Sequence, residues 1–117
     1  MCKNCSIIEG LFDAAKSNAH LNYVPVYRLL EALLQQKRIE IYAGDCHFED
    51  LLEVLSNEMH FTVCFYLRCK ECYDVFFFGA CIRGKPIYKK IENINIERIE
   101  NMLWGREGIY FEETGKY

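Results

Sequence analysis

The chain has 117 residues, 51% of them hydrophobic and 15% aromatic, with seven cysteines and a formal net charge of -3. That size and apolar content suit one domain with a packed core and exclude a disordered chain. The acidic balance argues against generic nucleic-acid binding, which leaves a basic footprint, and no apolar run reaches the ~18 residues of a membrane span.

Met1-Cys2-Lys3-Asn4-Cys5 is not followed by a long apolar stretch, so no secretion signal is expected. The cysteines are therefore expected to be reduced and the protein cytoplasmic. Ser6-Ile7-Ile8-Glu9 has the form of a capping box. Ile7, Ile8, Leu11, Phe12 and Ala15 recur at helical spacing behind it, which predicts a first helix over residues 7–18. Residues 20–23 read as a connection. Pro25 suits the first turn of a second helix, where its missing N–H costs little. Val26, Leu29, Leu30, Leu33 and Leu34 form its apolar stripe, and Lys37 and Arg38 suit the negative end of its dipole.

Residues 39–43 alternate and predict a short strand, closed by Gly44-Asp45. Phe48, Leu51, Leu52 and Leu55 predict a third helix to about Asn57, with Glu49, Asp50 and Glu53 on its outer side. The densest apolar stretch follows. Phe61, Val63, Phe65 and Leu67 alternate with Thr62, Cys64, Tyr66 and Arg68, a period of two. Residues 73–83 are apolar on both faces, as a central strand is. A two-residue turn at Lys70-Glu71 would set Cys69 across from Cys72, Phe65 across from Phe76 and Val63 across from Phe78. Gly84-Lys85-Pro86 turns the chain, and residues 87–91 can add a third strand. Asn93 or Asn95 can cap a last helix through Ile96, Ile99, Met102 and Leu103, ended by Gly105. Ile109, Tyr110 and Phe111 read as a small edge strand. The expectation is a single α+β domain over residues 1–117: an antiparallel sheet built on a hairpin at about 60–83, with an added strand at 87–91, packed against three to four helices.

Two Cys-x-x-Cys pairs stand out, Cys2/Cys5 and Cys69/Cys72. Two short chelating pairs are what a tetrahedral structural zinc site requires, and Tyr66-Leu67-Arg68-Cys69-Lys70-Glu71-Cys72 resembles a zinc-ribbon knuckle. The pairs lie about sixty residues apart, and Tyr73 stands where a knuckle would carry glycine. The bland alternative is a frayed N-terminus and two ordinary turn thiols. A redox pair is a third reading, but such pairs normally open a helix. Cys64 and Cys81 read as small buried hydrophobes, and Cys46, before a helix, as a capping-region thiol rather than a nucleophile. His20, His47 and His60 are each isolated. No phosphate loop or hydrolase elbow occurs.

Between residues 39 and 67 every charged residue is acidic, whereas Arg83, Lys85, Lys89 and Lys90 are basic. Those cations could touch phosphates, but an edge strand guarded by lysine explains them as well. The acidic run could be a solvated helix face or a docking face for a basic protein, with Tyr42, Asp45, Glu49, Asp50 and Glu53 as the contact residues. Phe76-Phe77-Phe78-Gly79-Ala80-Cys81-Ile82-Arg83-Gly84-Lys85-Pro86-Ile87-Tyr88, behind the hairpin Cys-x-x-Cys, resembles the small immunity proteins of bacterial polymorphic toxin systems, including contact-dependent growth inhibition. The resemblance implies a non-enzymatic, cytoplasmic protein that binds the C-terminal domain of one cognate toxin, often a basic nuclease, and blocks its active site. An acidic face would steer such a partner. The alternative is a small zinc-containing regulatory or nucleic-acid-binding module.

Overall fold

The computed structural model describes residues 2–17 and 23–115. Most of the predicted connection over 20–23, with His20, lies outside them.

Strands β1 (Ile39–Gly44), β2 (Thr62–Cys69), β3 (Val75–Cys81) and β4 (Ile87–Ile91) form one antiparallel sheet in chain order. The alternation in β2 and β3 sorts their side chains between two faces. Val63, Phe65 and Leu67 join Phe76, Phe78 and Ala80 in the larger core. Tyr66, Val75 and Phe77 belong to a smaller one on the opposite side. Helices α1 (Lys3–Lys16) and α2 (Val24–Gln35) cover the larger face, together with a 3-10 turn (Phe48–Asp50) that runs into α3 (Leu51–Ser56). Helices α4 (Ile96–Met102) and α5 (Ile109–Thr114) cover the smaller face through Ile99, Tyr110 and Phe111. The expected α+β class and antiparallel sheet are present, with helices on both faces. No helix among the described residues is long and apolar enough to cross a membrane.

The helices follow their stripes. Ile8 and Phe12 of α1, and Val26, Leu30 and Leu33 of α2, are fully or nearly fully buried. Asn95 caps α4 by accepting the Arg98 N–H at 3.0 Å. Three local expectations are corrected. Helix α1 starts at Lys3, so Ser6 and Glu9 lie inside it; the first backbone bond runs from Ser6 N–H to Cys2 O at 3.1 Å. The hairpin register is shifted by two: Phe65 faces Phe78, Leu67 faces Phe76 and Cys69 lies outside the ladder's end pair, Arg68–Val75. An even shift leaves every side chain on its expected face. Residues 109–111 are helical, not a strand. The pairing with β1 falls instead to Glu107, which exchanges both backbone bonds with Gly44 at 2.8 and 2.9 Å.

Close approach explains two glycines there. A Cβ at Gly105 would collide with the backbone of Asp45. Gly108 has φ +108 and lies against the Tyr42 carbonyl, a position no other residue fills without strain.

Strand β4 is an edge of the sheet, and its exposed Lys89 fits the edge-guarding reading of the lysines. Lys90 pairs with Asp74 at 3.4 Å.

Candidate metal centre

Cys2 is the N-cap of α1 and Cys5 sits one turn on, so both sulfurs share a helix face. Between the two central strands, Cys69 is the last residue of β2 and Cys72 lies in the turn after it. That turn is tight. Tyr73 N–H donates to Cys69 O at 3.1 Å, Cys69 N–H to Asp74 O at 2.9 Å, and Glu71 N–H points at Cys69 Sγ at 3.4 Å. Tyr73 takes φ +65, the left-handed conformation for which a knuckle normally uses glycine. A non-glycine residue there costs about 1 kcal/mol or more. The extra residues curled into this turn account for the two-position register shift.

The fold brings the two pairs together. Cys2 Sγ lies 3.3 Å from Cys5 Sγ, 3.4 Å from Cys69 Sγ and 3.5 Å from Cys72 Sγ; Cys5 Sγ lies 3.2 Å from Cys72 Sγ. All four sulfurs are within 4.8 Å of one another, which is metal-binding distance. Cys5 and Cys69 are buried, Cys2 half-buried and Cys72 exposed. The Cys5 backbone N–H draws the Cys2 thiol down to about 7, while burial pushes Cys5 up.

Polar groups frame the cluster. The buried Asn4 side chain donates to the Arg38 carbonyl at 3.1 Å and lies 3.8 Å from Cys69 Sγ. Lys70 N–H donates to the same carbonyl at 3.1 Å, so the loop before β1, the start of α1 and the hairpin tip meet at one oxygen. Asp74 Oδ2 lies 3.8 Å from Cys5 Sγ, and the same oxygen pairs with Lys90 Nζ at 3.4 Å. Asn4 and Asp74 belong to no motif in the sequence. Their only signal is position, one residue before Cys5 and two after Cys72.

The other predicted contact residues separate. Asp45 is 4% exposed and its carboxylate accepts the backbone N–H groups of Cys64 (2.7 Å), Trp104 (2.7 Å) and Gly105 (3.1 Å). Burial pushes its carboxyl up while those three amides pull it down. Asp45 therefore pins the chain after α4 to the sheet and is corrected from surface contact to internal tether. Glu49 and Glu53 are exposed, Asp50 and Tyr42 half-buried. Among the described residues no ion pair engages Glu49, Asp50 or Glu53. The Tyr42 ring lies under the Arg68 guanidinium at 5.1 Å.

Cys46 is pushed up to about 12, by burial first and then by Asp45 and the neighbouring acids. It stays a thiol at neutral pH, the wrong form for a nucleophile. Comparison of the chain with protein families, with curated proteins and with solved structures gives no match. The likeness to immunity proteins therefore rests on the hairpin residues alone.

Proposed function

We propose that the protein is a zinc-binding domain with no catalytic chemistry of its own, in which the metal staples the start of α1 to the β2–β3 turn. The stapled domain acts as a cytoplasmic inhibitor that binds the C-terminal domain of a cognate toxin, a nuclease in the first instance, and blocks its active site. The observation that carries the first half is the meeting of four sulfurs from two pairs, with Cys2 and Cys69 67 positions apart in sequence. Sulfur separations of 3.2 to 3.5 Å exceed the ~2.05 Å of a disulfide. They approach the ~3.8 Å edge of a tetrahedron with Zn–S bonds of about 2.3 Å. Four thiolates make a soft, closed donor set that suits zinc and leaves no position for water, so the role is structural. Cys2, Cys5, Cys69 and Cys72 would hold the ion. The Asn4 amide and the Glu71 N–H would steady Cys69, and Lys90 would neutralise the Asp74 carboxylate beside the sulfurs.

The inhibitor half is supported by the unpaired carboxylates of Glu49, Asp50 and Glu53 on one side of the molecule. They favour a basic partner over nucleic acid, as does the pairing of Lys90 with Asp74.

Elemental analysis of the purified protein should give one zinc per chain, and Co²⁺ in its place should give the spectrum of a tetrahedral tetrathiolate. Protein that carries no zinc, or that keeps it in both Cys5→Ser and Cys72→Ser, removes the metal reading. Where the adjoining gene encodes a toxin domain, titration calorimetry against that domain tests the second half. An absence of binding there rejects the inhibitor and leaves the metal untouched.

A further inference from the structure

Away from the sulfurs, a groove opens between the end of α2, β1, the 3-10 turn and α5. Its volume is about 330 Å³. Leu34, Ile41, Phe48 and Ile109 supply an apolar lining, and the acids around it are Glu40, Glu49, Glu107 and Glu112. Glu40 is taken by Arg68 at 2.9 Å, and Glu107 lies 3.4 Å from His47 Nδ1. Glu49, from the 3-10 turn, and Glu112, from α5, are exposed and have no ion pair among the described residues. A neighbouring hollow shares His47, Glu107, Gly108 and Glu112 and brings in Arg106, whose guanidinium lies 5.3 Å from the Phe111 ring.

We propose that this groove is where the basic partner docks, and that it receives an arginine or lysine side chain of that partner. This deepens the inhibitor reading above and rests on it. Two features of the site select the occupant. The lining offers apolar surface to a long methylene stem, and the two unpaired carboxylates offer the charge its head requires. A purely apolar side chain would leave Glu49 and Glu112 unused. An acidic one would be repelled. The volume lies at the lower end of the range for small-ligand pockets, which suits one inserted side chain rather than a folded element. The sheet makes the site rigid: Ile41 is held by its register with Leu67, and Gly108 keeps α5 against β1 because only glycine fits at its φ.

The test is an NMR titration of the zinc-loaded protein with an octa-arginine peptide and, separately, an octa-citrulline peptide of the same length. Octa-arginine should shift the amides of Ile41, His47, Glu49, Ile109 and Glu112, and octa-citrulline should not. The double variant Glu49→Gln/Glu112→Gln should weaken octa-arginine binding ~5-fold and flatten its salt dependence, as expected for loss of two exposed charge contacts. Both substitutions are at exposed positions, so the variant is expected to fold, and its unperturbed spectrum checks this. Shifts centred elsewhere, equal shifts with citrulline, or an unchanged affinity in the double variant would each overturn the site. So would shifts of these same amides on simple dilution, because they would mean a second copy of the chain fills the groove. If octa-arginine binds here while the neighbouring toxin domain does not, the groove stands and the inhibitor falls. If the toxin domain binds the double variant as tightly as the wild type, the reverse holds.

Discussion

The two faces of the sheet are closed by different physics. The larger face buries twenty of the described residues, among them Phe12, Tyr27, Phe48, Phe65, Phe76 and Phe78, in a ring-rich core held mainly by apolar contact, with the Tyr27 hydroxyl donating to the Phe48 carbonyl at 2.7 Å. The smaller buries eight and is fastened largely by polar pins: the Asp45 carboxylate, the Trp104 indole on the Thr62 carbonyl at 2.7 Å, and Tyr110 on Glu100 at 2.6 Å. The sulfur cluster belongs to the larger face, at the corner where α1 meets the hairpin tip. Apolar burial is non-directional, so it tolerates small displacements of one side chain against another. Polar pins do not, because a stranded buried donor costs its full desolvation. The larger face should therefore be hard to damage except at its staple, and the smaller vulnerable at single atoms.

The largest effect expected is at that staple. Cys72 is exposed, so Cys72→Ser removes a metal ligand with almost no loss of packing. A metal that binds only the folded state, at a thousandfold excess over its Kd, stabilises by about 4 kcal/mol. The substitution, or a strong chelator, should lower the urea midpoint accordingly and release α1 before the rest, seen as early hydrogen exchange over residues 3–16. Cys81→Ser, at a thiol outside the cluster, should leave the midpoint nearly unchanged. If the two substitutions behave alike, the larger face is held by burial alone.

Next in size is Asp45→Ala on the smaller face, which strands three backbone donors at once and should cost about 3 kcal/mol or more. Asp45→Asn keeps an acceptor for Trp104 and Gly105 but can present its amide to the Cys64 N–H, and should fall between the two. A loss under 1 kcal/mol for Asp45→Ala would show that the smaller face is held by Ile99, Leu103 and Phe111 instead.

These pins also mark where reading the sequence stops working. The alternation of β2 is plain because one of its faces is wholly apolar, and β3 reads as a central strand because burial on both faces leaves an unbroken apolar run. The stripes of α1 and α2 were equally plain. The register was not, since it depends on how the Cys69–Asp74 turn curls, and a tyrosine at φ +65 gives no local warning. Ile109-Tyr110-Phe111 looked like a strand because three apolar residues carry no period. They are helical because Gly108 and the left-handed Gly115 bracket them, while Glu107 takes the pairing with β1. Each Cys-x-x-Cys was legible as a chelating pair, and their meeting was not, being a property of how α1 packs at the sheet's end. Asp45 was misread for the opposite reason: an aspartate after a strand looks like surface, and only the approach of residues 104 and 105 buries it.

A smaller effect separates the faces by pH. On the larger face, Tyr88 is 6% exposed and its hydroxyl has no partner among the described residues. Burial pushes it from 10.0 to about 12, and pushes Tyr27, on the same face, to about 12 as well. The sign follows from linkage. Both tyrosines ionise more readily unfolded than folded, so they leave stability unchanged below about pH 10 and withdraw it as pH rises from 10.0 toward 12. Tyr88→Phe should therefore be neutral or stabilise by about 1 kcal/mol at pH 7, because an unsatisfied hydroxyl is removed. It should also shrink the alkaline loss of stability. A destabilised Tyr88→Phe at pH 7 would mean that the larger face relies on a second polar pin besides the Tyr27 hydroxyl.

The smallest effect expected is at Trp104, and it decides how the pins share their work. Trp104 is 40% exposed, stacks on His60 at 3.6 Å between centroids and gives its indole N–H to the Thr62 carbonyl. Trp104→Phe breaks that one bond, but its main-chain N–H still reaches Asp45. The freed carbonyl lies beside exposed Phe61, where water can replace the indole. The cost should be about 1 kcal/mol or less in urea denaturation, well under that of Asp45→Ala. A cost near that of Asp45→Ala would move the fastening of the smaller face from the carboxylate to the indole and its histidine stack. His60→Ala would then have to reproduce most of the loss, whereas with the carboxylate as the fastener it should change almost nothing.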